Sequence, residues 1–332
     1  MRKSNLCSML SLIIILSVFV FPFVCHAQLG CFTKEDLIKF TPEWKGERYP
    51  DGRPKVPDDI IERMKWTETE EAWGGCRRAR YNYQFEPTYM GGWINMHPER
   101  VVVGRAVTAT YIPRRPDVSK VTIEIGKALT GSQAGGQNSW IIDKLIKDDV
   151  MVVDIFGKVI DGPLVGGNLA NSVWAKTGGT GIIVDGGVRD LAQIYRLPPD
   201  FNVLMRGAHP SGSVIGDLSG INTPTRIGEA ICMPGDVVLL TIEGVTFIPP
   251  HLAEQVVQSS ESTRLRDIFG FQRLHEGKYT PGQIDSRWSD EIQKDFIQWM
   301  RENIDNFDLH HVPSQRVEEV IKERTDRMSK TQ

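Results

Sequence analysis

An α/β fold is what the sequence predicts, on three observations. Residues 150–153 (Val-Met-Val-Val) form a short apolar run, followed by a loop holding Gly162, Gly166 and Gly167 and then a helical pattern from Asn168. Residues 181–184 (Gly-Ile-Ile-Val) repeat the arrangement, with a turn at Asp185-Gly186-Gly187 and a second helical start at 188–191. Residues 101–110 (Val-Val-Val-Gly-Arg-Ala-Val-Thr-Ala-Thr) are a strand pattern. A short apolar run bounded by glycines reads as a buried strand, and strands that switch into helices are the signature of α/β architecture.

The elements follow in order. The chain has 332 residues, 40% hydrophobic and 24% charged, enough for one large domain or two small ones. Net charge is −3, which points to neither nucleic acid nor an anionic membrane surface as partner. Residues 1–27 read as a signal peptide. Arg2 and Lys3 precede an apolar stretch at 10–24, and Cys25-His26-Ala27 supplies a small-residue cleavage site. A membrane anchor is the alternative, but the stretch is short for a span and a cleavage site follows. The expected location is therefore periplasmic or secreted. Gln28-Leu29-Gly30-Cys31 faintly suggests a lipoprotein box, with Gln28 where leucine is usual, so lipidation is the lesser expectation. After cleavage Cys31, Cys76 and Cys232 remain, an odd number without a CxxC, which excludes a disulfide framework or zinc site. Cys232 reads as a small core residue; a Cys31–Cys76 pairing is left open.

Residues 28–55 lack periodicity and read as an extended arm. A domain is expected over 56–267 and a helical extension over 268–332. Asp58 is a plausible cap for a helix starting there. The stretch 66–92 is aromatic and irregular; its aromatics and Trp93 could line a pocket, though packing against the domain or a neighbouring subunit is the favoured reading. Residues 122–129 suggest a helix. The loop at 131–136 lacks GxGxxG and P-loop spacing, so no nucleotide site is read there. In the central stretch Leu169, Val173 and Trp174 recur at helical spacing, and Lys176-Thr177-Gly178-Gly179 should end that helix. Strands are expected at 203–205, 237–241 and 245–248, the last two joined by a turn at Glu243-Gly244. Helices are expected at 251–269 and 286–307, the latter with Ile292, Phe296, Trp299 and Ile304 on one face, and a last one capped by Ser314.

Two helix N-termini close together form an anion site, because their free N–H groups and dipoles favour negative charge. Gly166 and Gly167 allow close backbone approach, Arg189 adds a planar cation, and Asp190 a hard oxygen ligand. That combination suits a carboxylate-bearing substrate chelated to a metal. The bland alternative for Arg189-Asp190 is an ion pair at a helix start; the two glycine loops favour a site.

At this point the stretch GGNLANSVWAKTGGTGIIVDGGVRD resembles the RraA-like family, flanked by RVVVGRAVTATYIP, KDDVMVVDIFG and MPGDVVLLTIEGVTFIP. That family includes 4-hydroxy-4-methyl-2-oxoglutarate aldolases, which also decarboxylate oxaloacetate, and regulators of ribonuclease E. The resemblance implies an α/β/β/α layered sandwich, here with additional C-terminal helices, assembled as trimers or hexamers with sites between subunits. It implies Mg2+ or Mn2+ held by Asp190 largely through waters, and substrate carboxylate bound by the backbone of Gly167, Asn168, Leu169 and Ala170. Arg189 would stabilise the enolate formed when a C–C bond breaks. The chain departs at Asn168, where the aldolases carry an aspartate that orients a proton-transfer water. Asparagine can hold a water but cannot take up its proton. Asp161, His209, Glu243 or a neighbouring subunit's acid such as Glu261 are the replacement candidates. A metal-dependent lyase and a non-catalytic regulatory or ligand-binding protein both remain open.

Overall fold

The computed structural model describes residues 32–130, 135–214 and 216–330. The signal-peptide reading, Cys31 and most of the 131–136 loop lie outside the described residues. The segment expected to be an extended arm contains a helix, α1 (Lys34–Phe40), started by Thr33, whose side chain accepts from Asp36 N while Asp36 accepts from Thr33 N. This reciprocal capping holds a seven-residue helix of about two turns, too short for much periodicity to betray it.

Helix α2 (Asp58–Met64) has Pro57, not Asp58, at its N-cap, and α3 (Thr69–Arg78) gives the aromatic stretch a regular element. Short strands β1 (Phe85–Pro87) and β2 (Ile94–Asn95) precede the long β3 (Val102–Pro113), which contains the predicted strand. The predicted helix at 122–129 is the C-terminal part of α4 (Pro116–Thr130), and α5 (Gln137–Lys144) follows it. Next come β4 (Asp149–Lys158), α6 (Gly167–Thr177), β5 (Gly181–Val188) and α7 (Leu191–Ile194). The α6 helix stops at Gly178, whose φ of 74° gives the left-handed cap that glycine alone adopts cheaply. The second expected helix is a single turn.

The second half adds β6 (Asn202–Met205), β7 (Gly207–Ala208), β8 (Gly216–Ile221), β9 (Thr225–Ile227), β10 (Ala230–Cys232), β11 (Val237–Leu240) and β12 (Gly244–Ile248). Four helices close the chain: α8 (Ala253–His275), α9 (Pro281–Ile284), α10 (Asp290–Asn303) and α11 (Ser314–Ser329). Pro313 holds the N-cap position of α11, and Ser314 is its first helical residue.

A ten-stranded sheet carries the order β1-β12-β11-β3-β4-β5-β6-β2, with β7 beside β5 and β8 beside β3. The central β3, β4, β5 and β6 are parallel. Alternation along β3 separates the two faces: Val107 and Ala109 pack with Trp140 and Ile141 of α5 and Ala170 and Val173 of α6, while Ala106 packs with Val152, Ile183, Ile227 and Cys232. So helices cover one face and the β9–β10 hairpin covers the other. Further along the helical face, Val103 and Leu239 meet α2, α3 and Val256 and Val257 of α8. This is the mixed α/β architecture expected, and the additional C-terminal helices are present. Their core is aromatic: Phe269 lies 5.3 Å from Trp288, 5.2 Å from Phe296 and 5.6 Å from Trp299.

Cys76 and Cys232 are both buried. Among the described residues no helix is long and apolar enough to cross a membrane.

Candidate active site

The C-terminal ends of β4 and β5 lie side by side because the strands are parallel, with Asp154 paired to Asp185. The loop after β4 is pinned across the end of β5 by two backbone bonds, Leu164 N to Gly187 O at 2.8 Å and Arg189 N to Val165 O at 3.0 Å. These place the Gly166-Gly167 start of α6 directly against Arg189 and Asp190. A larger residue at either glycine would have to push these side chains aside. A Cβ on Gly166 would sit 2.4 Å from Asp190 Oδ2, and one on Gly167 would sit 1.9 Å from Gln193 Oε1.

Asp190 adopts φ 59°, ψ 39°, a left-handed conformation that short polar residues tolerate best after glycine. It occupies the N-cap position of α7, but its side chain makes no capping bond there. Instead Oδ2 accepts from Gly167 N at 3.2 Å. Arg189 Nε stands 3.7 Å from the same oxygen, and the two side chains are 45% and 41% exposed. So loose a contact is not a helix-start ion pair that consumes both groups. Both remain open to a ligand.

The structure separates the four expected anion-binding residues. Gly167 N–H is taken by Asp190, and Ala170 N–H closes the first turn of α6 onto Gly166 O at 2.9 Å, with the Ala170 side chain fully buried. The N–H groups of Asn168 and Leu169 belong to the first turn, where a helix offers no internal acceptor. Asn168 is exposed and Leu169 packs its side chain on the core. Of the two helix N-termini, only that of the eleven-residue α6 has a dipole suited to an anion; the single-turn α7 is too short to carry a comparable one.

Of the proton-transfer candidates, two lie close to this centre. Asp161 N donates to Ser211 Oγ at 2.8 Å, and His209 Nδ1 meets the same hydroxyl at 2.8 Å. His209 N also donates to Val188 O at 3.1 Å, beside Arg189, and a Cβ on Gly212 would lie 3.9 Å from Arg189 Nη1. Glu243 sits at the other end of the sheet, on the β11–β12 turn, since Leu240 pairs with Val102 at the start of β3. Glu261 is buried and held by Arg63 through two 2.7 Å bonds, so its charge is already matched.

Two features went unread in the sequence. Gln193 walls the site against Gly167. Beneath it, on the hairpin face, Asp185 accepts from Arg206 Nε at 2.7 Å and Gly228 N at 2.9 Å, and the Arg206 guanidinium lies 3.7 Å from the centre of the Trp93 ring. Burial pushes the nearby Asp154 carboxyl up, a hydrogen bond from Phe156 N opposes this, and Asp185 adds to it. This network braces the end of β5, which runs on as strand through Asp185-Gly186-Gly187 where a turn was expected and presents Arg189. Its members come from distant segments, so no local pattern announces it. Among the described residues no three His, Cys, Asp or Glu side chains form a metal cluster.

A family model described as RraA-like, Aldolase/RraA, matches residues 74–247, more than half of the chain. The chain belongs to the RraA-like family. Every residue of the site just described falls within the matched segment, whereas the arm helix α1 and the helices α8 to α11 lie outside it. Over 150 residues the chain is 31% identical to a protein of Halalkalibacterium halodurans named "Putative 4-hydroxy-4-methyl-2-oxoglutarate aldolase", covering 43% of this chain and 68% of that one. The fold is shared with an uncharacterized protein from Pseudomonas syringae (TM-score 0.56, 17% identity, 72% of this chain and 98% of that one). It is also shared with Streptomyces coelicolor RraAS2, described as an unusual member of the RNase ES inhibitor RraA protein family (TM-score 0.51, 20% identity, 67% of this chain and 98% of that one).

Proposed function

We propose that this RraA-like protein is a divalent-metal-dependent lyase, of aldolase or decarboxylase type, acting on a 2-oxo acid or related hydroxy acid. The observation that carries the reading is the half-exposed Arg189 and Asp190 pair held against the N-terminus of α6. A cation, a carboxylate and the N–H groups of Asn168 and Leu169 converge there, and only Gly167 N–H is taken up by the carboxylate. The likeness to a named aldolase supports the same reading.

The residues fit Mg2+ or Mn2+ bound chiefly through water. Asp190 offers one carboxylate whose Oδ2 is steadied by Gly167 N–H, and magnesium sites commonly use one or two carboxylates with several waters. When bound, such an ion would polarise the 2-oxo group as a Lewis acid. The chain does the rest. The N–H groups of Asn168 and Leu169 receive the substrate carboxylate. The Arg189 guanidinium meets the oxygen that gains charge as the C–C bond breaks, an interaction strongest in the transition state. Asn168 holds a water but takes no proton, so the proton passes to the Asp161 carboxylate or to His209 Nε2; Ser211 Oγ holds the Asp161 backbone N–H and His209 Nδ1.

We further propose export, with cleavage after Ala27, and assembly as a trimer or a multiple of it. N-terminal sequencing of protein from the periplasm or medium tests the first; a cytoplasmic chain still beginning at Met1 would refute it.

Asn168 also favours a second reading, a non-catalytic ligand-binding or regulatory protein that keeps the anion site. Pyruvate release from oxaloacetate with and without EDTA separates the two. The lyase should release pyruvate in an EDTA-sensitive manner and lose it in Arg189→Ala. No release from any of a panel of 2-oxo and hydroxy acids with Mg2+ or Mn2+ would end the lyase reading.

A further inference from the structure

The C-terminal helices do more than bury an aromatic core. Helices α8, α10 and α11, with the turn before α10, enclose a cavity of about 250 Å³ whose lining includes Arg266, Arg287, Arg324, Arg327, Asp290 and Gln293. Four guanidinium groups therefore share the space with one carboxylate. Around them, Asp267 lies close enough to feel Arg266, while Glu323, near Arg324, already accepts from Arg316 at 3.0 Å.

The arrangement is built rather than loose. Trp288 donates to Ile284 O at 2.8 Å, which fixes its ring, and the Arg266 guanidinium lies 4.5 Å from the centre of that ring. Arg266 Nε and Gln293 Oε1 are buried without a hydrogen-bond partner. Arg324 is half-buried, and burial first, then Arg266 and Arg327, depress its pKa. Arg266 and Arg324, both partly buried, are like charges that repel, and unpaired buried polar atoms cost free energy. The hydrophobic packing of α8, α10 and α11 requires none of these arginines. An oxyanion removes the repulsion and suits the fork of N–H donors that each guanidinium presents. The Gln293 amide can turn to offer its N–H groups to the same ligand.

We propose that this cavity binds a phosphate-type oxyanion, as inorganic phosphate or a small phosphate monoester. Its volume admits the phosphate with a short organic group and falls near the lower end of small-molecule sites. The cavity lies outside the residues matched by the family model, so the proposal stands apart from the lyase reading.

Calorimetric titration of inorganic phosphate and of glycerol phosphate into the full chain, at constant ionic strength balanced with chloride, tests it. Saturable binding is expected. Arg266→Gln and Arg324→Gln should each weaken it by about tenfold or more, as loss of a charge-assisted contact does. Arg301→Gln, an exposed change on α10, should leave it intact. Circular dichroism checks that each variant folds. Should Arg266→Gln unfold, Arg287→Gln, at an exposed position, reads the same loss. The absence of saturable heat, or an equal loss in Arg301→Gln, would overturn the site. Binding to vesicles of phosphatidic acid in phosphatidylcholine, with none of either soluble phosphate, would assign the arginines to a lipid headgroup and overturn the soluble ligand.

Discussion

Asn168 is the residue on which the chemistry turns. It is exposed in the first turn of α6, where an added carboxylate would also be favoured by the helix dipole by about 0.3–1 kcal/mol, so Asn168→Asp should fold at least as well as wild type. If the missing group is a proton-transfer carboxylate, the substitution should raise metal-dependent oxaloacetate decarboxylation, by up to about 10²–10⁴-fold. A fall from high wild-type activity would instead place the base elsewhere and fit Asn168 to a different substrate. A second residue sets a pH dependence. Asp236 is 2% exposed, and burial pushes its carboxyl up to about 7 against the partial offset of a hydrogen bond from Met233 N. The unfolded chain loses that proton near the ordinary carboxylate range, whereas the folded chain keeps it until about pH 7. Between these limits the native state binds more protons, so stability falls as pH rises. Asp236→Asn keeps an acceptor for Met233 and removes the titration. Urea unfolding at about pH 5 and about pH 8 should show wild type losing roughly 2–4 kcal/mol more than the variant. Equal losses would mean that Asp236 ionises normally.

Between elements, a buried two-bond ion pair joins the N-terminal segment to β4. Arg53 Nη1 and Nη2 donate to the two Asp149 oxygens at 2.9 and 3.2 Å, with both side chains almost fully buried. Burial alone would lower the Arg53 pKa, but Asp149 and Asp51 more than offset it and hold it above its ordinary value. Asp149→Asn leaves that guanidinium buried without its main counter-charge, and should destabilise the protein by about 3–5 kcal/mol in urea unfolding. Asp117→Asn, which breaks an exposed pair with Arg115 and removes a charge from the first turn of α4, should cost far less. A loss no larger for Asp149 than for Asp117 would show that the segment is not held this way. Elements like this separate what the sequence discloses from what it hides. Strands β3, β4, β5, β6, β11 and β12 are legible because their residues are largely buried on both faces and read as runs rich in apolar and β-branched residues. Helix α1 is hidden because capping, not periodicity, makes it. Helix α5 and the β9–β10 hairpin are hidden because they are short, and packing on the sheet decides their state. The site divides in the same way. Gly166-Gly167 and Arg189-Asp190 are two adjacent pairs, each at a strand-to-helix switch, and announce themselves, whereas Gln193 against Gly167 and the brace of Asp185, Arg206 and Trp93 exist only after folding.

At the scale of the molecule, α8 joins two cores. Val256 and Val257 pack beneath the sheet, and Leu265 and Phe269 pack with Trp288, Phe296 and Trp299. The boundary expected at 267 therefore falls inside a continuous helix. Its hydrophobic period never breaks there; only the partner of its apolar face changes. The opposite end of the chain leaves apolar surface uncovered. Tyr83, Tyr89 and Met90 are 70%, 76% and 69% exposed, all within one short stretch. Exposed aromatic and methionine side chains gathered in this way are typical of surfaces that meet another protein. In a trimer or a multiple of it, this stretch should lie between subunits. Light scattering at micromolar concentration should then give three or six chain masses for wild type. Met90→Arg places an unpaired charge in the contact and should shift the protein toward monomer while leaving its circular dichroism unchanged. If neighbouring subunits complete each site, lyase activity should fall with the mass, and it should recover as protein concentration is raised and the assembly re-forms. A wild-type monomer would refute the assembly. A monomeric Met90→Arg with full activity would show instead that each chain carries a complete site of its own.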